Sequence, residues 1–137
     1  MRTMKQLAMF LVPLFIFTAC ATTGLKTAGK YNLDNQLEPV SEVLKYNLMS
    51  WETIDNQLFI LQTSPSQYYL IVLVWPAENL MYTESISISH TGDMVKPGYD
   101  KVTVYGAPKS QTYVIDKIYK LKDREEANAV KTQLSGK

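Results

Sequence analysis

The chain has 137 residues, with one His, one Cys, and 14 Lys plus Arg against 13 Asp plus Glu. That length holds one compact domain, and the balanced charge excludes a surface built for nucleic acid, which needs a clustered excess of cations. The single Cys excludes an internal disulfide, and one His without a companion a turn away does not offer a metal-ligand set. No cofactor is implied either, because the dispersed glycines form neither of the phosphate-cradling patterns that nucleotides require.

The first element is a leader. Arg2 and Lys5 precede an apolar run from Leu7 to Phe17 broken only by Pro13. A helix crossing a bilayer needs about 20 apolar residues, so this run is too short to span. A charged start, a short apolar stretch and small residues at its end mark a secretory signal peptide, expected over residues 1–19. Thr18-Ala19-Cys20 resembles the lipobox of bacterial lipoproteins, in which the Cys receives the lipid; Phe17 stands where Leu prevails. Ordinary cleavage after Ala19 is the alternative, and the bulky Phe17 conflicts with its small-x-small pattern. A nucleophilic Cys20 would need a nearby His or helix N-terminus to depress its pKa, and neither adjoins it. Each buried acyl CH₂ is worth about 0.8 kcal/mol and stable anchoring takes more than one chain. A diacylated, N-acylated Cys20 meets that need and would make the membrane the first partner. Ala21 follows Cys20 where a retention signal would place Asp, which by analogy implies the outer membrane, facing the periplasm.

Residues 20–36 read as the lipidated Cys and a tether: "ATTGLKTAGKYNL" is small and polar, without a period. A single domain is expected over 37–137. Leu37, Val40, Leu44 and Leu48 recur at spacings of three and four, with Pro39 placed for a first turn, and predict a short helix from Pro39 to Lys45. From Trp51 the pattern turns to β. "LFILQT" (58–63) and "YYLIVLVW" (68–75) are rich in branched and aromatic residues, with "SPSQ" between them as a turn. Asp55-Asn56-Gln57 supplies the turn before. The run from Tyr68 to Trp75 is apolar on both faces, which predicts a central covered strand. "ESISIS" (84–89) alternates, Ile86 and Ile88 inward. "DKVTVY" (100–105) and "TYVIDKIY" (112–119) complete the set. Asp123 and Glu126 resemble a capping box ahead of Ala127, Val130 and Leu134, predicting a closing helix. The fold class expected is mainly β: a small antiparallel β-barrel or rolled sheet of about five to six strands with a short C-terminal helix.

Candidate chemistry is sparse. Ser89, His90 and Asp93 are the residue types of a catalytic triad, yet such triads are assembled by the fold, and a polar turn explains the same letters. Asp55, Asp100 and Asp116 are candidates for paired carboxylates and read equally as turn formers. Trp51, Tyr68, Tyr69, Trp75 and Tyr105 could line an apolar cup or a partner surface, or simply fill the core. No catalytic residue is assigned. The reading is a lipid-anchored, non-catalytic accessory or interaction protein with a protein or envelope partner; the alternative is a barrel that binds a lipid or other apolar molecule.

The stretches "WETIDNQLFIL", "SQYYLIVLVWPAENL", "ISIS" and "YDKVTVYGAPKSQTYVIDKIYKL" resemble a family of short, uncharacterised bacterial lipoproteins, domain of unknown function 6491, over roughly residues 40–122. Relatives carry Cys at the positions of Ala77 and Tyr113. If those form a disulfide in relatives, the resemblance implies that Ala77 and Tyr113 lie close together here. It implies no activity.

Overall fold

The structure, a computed structural model, describes residues 31–44, 48–106 and 108–135. The expected leader, Cys20 and the tether up to residue 30 lie outside the described residues. In chain order the elements are β1 (Glu38–Pro39), β2 (Val43–Leu44), β3 (Ser50–Thr53), β4 (Leu58–Ser64), β5 (Gln67–Leu73), a short 3₁₀ helix (Glu78–Met81), β6 (Ile86–Ile88), β7 (Met94–Val95), β8 (Lys101–Val104), β9 (Gln111–Leu121) and α1 (Arg124–Ser135).

Six strands form one sheet in the order β3-β4-β5-β9-β8-β6, with every neighbouring pair antiparallel. The sheet curls into a half-barrel, so the mainly β, rolled-sheet expectation holds. β1 lies against the far half of β9, and β2 with β7 makes a separate two-stranded ribbon.

The curl has a local cause in β9. Val72 faces Lys117 and Leu73 faces Ile115, so Asp116 is the extra residue of a β-bulge. A bulge bends its strand and increases the local twist. It also resets the alternation: Ile115 and Ile118, three apart, face one core cluster, while Tyr119 and Leu121 face the other. The first cluster draws side chains from β4, β5, β9, β8 and β6, with Trp51 of β3 packed against it, so it gathers both ends of the sheet and is the concave side. The second packs β4, β5 and β9 against Ala127, Val130 and Leu134 of α1.

β5 sits between β4 and β9, and its Leu70 and Ile71 are 0 % and 1 % exposed on opposite clusters. Its covered, central placement follows from being apolar on both faces. α1 begins as its sequence predicts. The Asp123 carboxylate accepts the Glu126 N–H at 2.9 Å, and the Glu126 carboxylate accepts the Lys122 N–H. The first bond satisfies an amide that a helix start leaves unpaired, and the second ties the helix's first turn back to the residue before its cap.

Three expectations are corrected. The helix predicted from Pro39 to Lys45 is absent from the described part of that span, which forms β1 and β2 instead. One or two turns of helix carry an unfavourable nucleation cost. Here the same apolar residues find two separate partners: Leu37 packs on the helix-side cluster and Val40 on the concave one. The tether boundary moves back as well, since Tyr31 and Leu33 are 4 % and 5 % exposed in the helix-side cluster and residues 31–36 belong to the domain. Finally, β5 ends at Leu73 rather than Trp75. Pro76 has no N–H to continue a ladder, and the buried Gln57 side chain caps the strand's end by donating to the Leu73 carbonyl at 2.8 Å and the Val74 carbonyl at 3.3 Å.

Candidate functional site

The concave face of the half-barrel holds a cavity of about 310 Å³. Leu61 of β4, Ile71 of β5 and Ile118 of β9 are its floor, and Val43 and Val95, opposite each other in the β2–β7 ribbon, close one end. Leu44 and Leu48 line it while remaining 48 % and 41 % exposed, which places them at the rim. Thr63 and Ser87 are the polar residues of the lining, and no charged side chain joins them. The size falls at the lower end of ligand pockets, and the aliphatic walls suit an apolar occupant.

The remaining wall is β6, where Ile86, Ser87 and Ile88 all line the cavity. Alternation alone would present only every second residue. Three in a row mean that the cavity also meets the strand's edge. Among the described residues β6 pairs only with β8. The Ser89 N–H donates to the Lys101 carbonyl at 2.9 Å and the Tyr105 N–H to the Ser85 carbonyl at 3.2 Å. In an antiparallel ladder hydrogen-bonded pairs alternate with non-bonded ones. Ser87 and Thr103 are thus the bonded pair between these two, and the N–H and C=O groups of Ile86 and Ile88 point away from β8, into the seam.

The five aromatic residues read as a cup lining, a partner surface or core do not gather at the concave cavity. Trp51 is half-buried on β3, edge-on to Phe59 with ring centroids 6.3 Å apart. Tyr68 is buried in the helix-side cluster and its hydroxyl accepts from the Gln62 amide at 3.1 Å. Tyr69, one residue on, packs against the concave cluster. Trp75 and Tyr105 lie beyond the ends of β5 and β8 and are exposed, Tyr105 at 3.1 Å from the Ser87 hydroxyl. None of the five lines the cavity.

The triad letters separate too. The Ser89 hydroxyl donates to Asp100 at 2.8 Å and accepts the Lys101 N–H at 2.9 Å, while the His90 ring lies 2.7 Å from the Gly92 carbonyl. Asp100 is buried at 3 % exposure and takes the Lys96 N–H on its other oxygen at 2.7 Å, so it clamps the turn from Lys96 to Tyr99. Gly98 in that turn has φ of +82°, a conformation open to glycine. Asp55 accepts the N–H groups of Gln57 and Leu58 at 2.7 and 2.9 Å and the Tyr31 hydroxyl at 3.0 Å, holding the turn into β4. Asp116 is the bulge residue already described. Among the described residues no three His, Cys, Asp or Glu side chains gather to hold a metal. Ala77 is buried in the concave cluster and Tyr113 packs against that same cluster. Burial raises the Tyr113 pKa, with the neighbouring Glu78 adding to it.

Sequence reasoning missed a polar latch on the helix side. The Asp34 carboxylate takes the Lys117 ammonium at 2.6 Å and the Tyr119 hydroxyl at 2.7 Å, and that hydroxyl accepts the Leu33 N–H at 3.1 Å. The bonds from Lys117 and then Tyr119 hold Asp34 below its ordinary pKa, and the bond to Asp34 raises Lys117. Burial first, and Asp34 second, raise Tyr119. Its effect is to fasten residues 33 and 34 to β9.

Fold and cavity together define an antiparallel half-barrel whose open seam is apolar. The chain belongs to a family of unknown function, DUF6491, whose profile matches residues 3–137. No curated protein and no solved structure matches it.

Proposed function

We propose that the chain is a lipid-anchored protein of the bacterial envelope, held to the outer membrane through Cys20, whose periplasmic half-barrel binds a partner protein in its seam without catalysing a reaction. The observation that carries this is the aliphatic cavity opening at a strand edge that is unpaired among the described residues, with Leu44 and Leu48 exposed at its rim. The anchor rests on the short apolar leader ending in Thr18-Ala19-Cys20. The family profile begins at residue 3 and so takes in that leader. A second reading, a binder of a lipid or other small apolar molecule, draws on the same cavity volume.

A photo-crosslinking residue placed at Leu48 in intact cells separates them, with Tyr82, which is exposed and outside the cavity lining, as the control position. A protein adduct at Leu48 and none at Tyr82 is expected. Lipid adducts alone favour the second reading, and protein adducts confined to Tyr82 contradict the seam as the binding place. For the anchor, Cys20→Ser abolishes incorporation of labelled palmitate; unchanged labelling refutes it.

A further inference from the structure

We propose that the seam's occupant is an extended segment of another protein that adds as a strand to the edge of β6 left unpaired among the described residues, and sets alternate apolar side chains into the cavity. This rests on the reading above and names the chemistry of the partner. The first ground is hydrogen-bonding complementarity. The N–H and C=O groups of Ile86 and Ile88 face the seam at regular strand spacing, in the pattern that a peptide backbone matches. An acyl chain filling the same space would strip water from those groups and return no hydrogen bond. The second is charge: the lining has no charged side chain, so the inserted residues are uncharged. The third is the chain itself. Residues 21–30, "ATTGLKTAGK", carry one large apolar residue, Leu25, and two lysines, a poor match for an aliphatic cavity. Finally, Ile86-Ser87-Ile88 lacks the Lys, Pro or bulge that commonly guards an exposed edge.

The test uses the purified protein and a displayed library of eight-residue peptides. Enriched peptides are expected to carry apolar residues at alternate positions. A synthetic copy of one is then measured by fluorescence anisotropy against the protein and against Ile88→Pro. That change removes a seam-facing N–H and leaves the bonds of Ser87 and Ser89 to β8, a substitution that edge strands tolerate. Affinity should fall about ten-fold, as for one or two lost backbone bonds. N-methylating every second peptide amide should abolish binding in one register and spare it in the other, a readout that needs no protein variant should Ile88→Pro not fold. No enrichment, equal loss in both methylated registers, or indifference to Ile88→Pro overturns the proposal. So do saturable binding of dodecanoate without peptide enrichment, and a dimer by sedimentation that Ile88→Pro dissolves, which would make a second copy the occupant. A protein adduct at Leu48 without strand-like peptides sinks this inference alone; protein adducts confined to Tyr82 sink the seam reading with it.

Discussion

At the scale of single residues, the most consequential side chain is one whose ends do different work. Tyr119 is 0 % exposed within the helix-side cluster, and its hydroxyl joins the Leu33 amide to Asp34. Tyr119→Phe keeps the ring and leaves the buried Leu33 N–H without its partner, while Asp34 keeps Lys117, so a cost of about 1 to 3 kcal/mol is expected from urea denaturation. The pH dependence follows from the same three groups. Asp34 is depressed below its ordinary 3.8 in the folded state, so its contribution is present above that value and lost as pH falls through the folded one. Lys117 and Tyr119 are raised above their ordinary 10.5 and 10.0, so theirs is full below those values and lost as pH rises through the folded ones. Asp34→Asn should therefore flatten the acid limb below about pH 4 while leaving the shape between pH 5 and 9 unchanged. An acid limb identical to that of the parent would show that Asp34 does not feel Lys117 in solution. None of this was legible in sequence, because Asp34 and Tyr119 are 85 positions apart and meet only through β9. The five aromatics do not share the concave cavity for the same reason in reverse. Tyr68 and Tyr69 are neighbours in sequence, and a strand sends neighbours to opposite faces.

Among the elements, strands with a clear alternation or a two-sided apolar run were readable: β4, β6, β8 and β9 fall where their residues predict, and β5 does so except for its last two residues. What misled was a spacing without length: apolar positions three and four apart over one or two turns serve two short strands as well as a helix, and tertiary pairing decided between them. The bulge at Asp116 was unreadable for a related reason, since its signature is a break in alternation that looks like noise until β5 is laid beside it. The strongest test at this scale is the central strand. Leu70 and Ile71 are buried on opposite clusters, so Leu70→Ala and Ile71→Ala should each cost about 2 to 5 kcal/mol. A pair in which one loss is under about 0.5 kcal/mol, as at exposed sites, would place β5 at an edge and disprove the sheet order.

Over the whole molecule, the half-barrel needs both its helix and its N-terminal strap to cover one face of the sheet, leaving the other to the cavity. The strap is the part that composition concealed, because "YNLDN" reads as a polar linker while Tyr31 and Leu33 fill the helix-side cluster. A chain beginning at Tyr31 should melt with the full mature form, whereas one beginning at Glu38 should melt at least about 10 °C lower, given roughly 4 to 8 °C per kcal/mol for a domain of this size. Equal midpoints would mean that the strap is not docked. The cavity was equally hidden, since its lining comes from the seven separate segments that contain Val43, Leu48, Leu61, Ile71, Ile86, Val95 and Ile118, and only the curl brings them together. The binding proposed for the seam depends on that curl stopping short of closure, with the outer edge of β6 unpaired among the described residues. Amide hydrogen exchange on the unliganded protein tests it most directly. The N–H groups of Ile86 and Ile88 should exchange rapidly while that of Ser87, bonded to β8, is protected. Comparable protection of all three would mean that the edge is covered and the barrel closed.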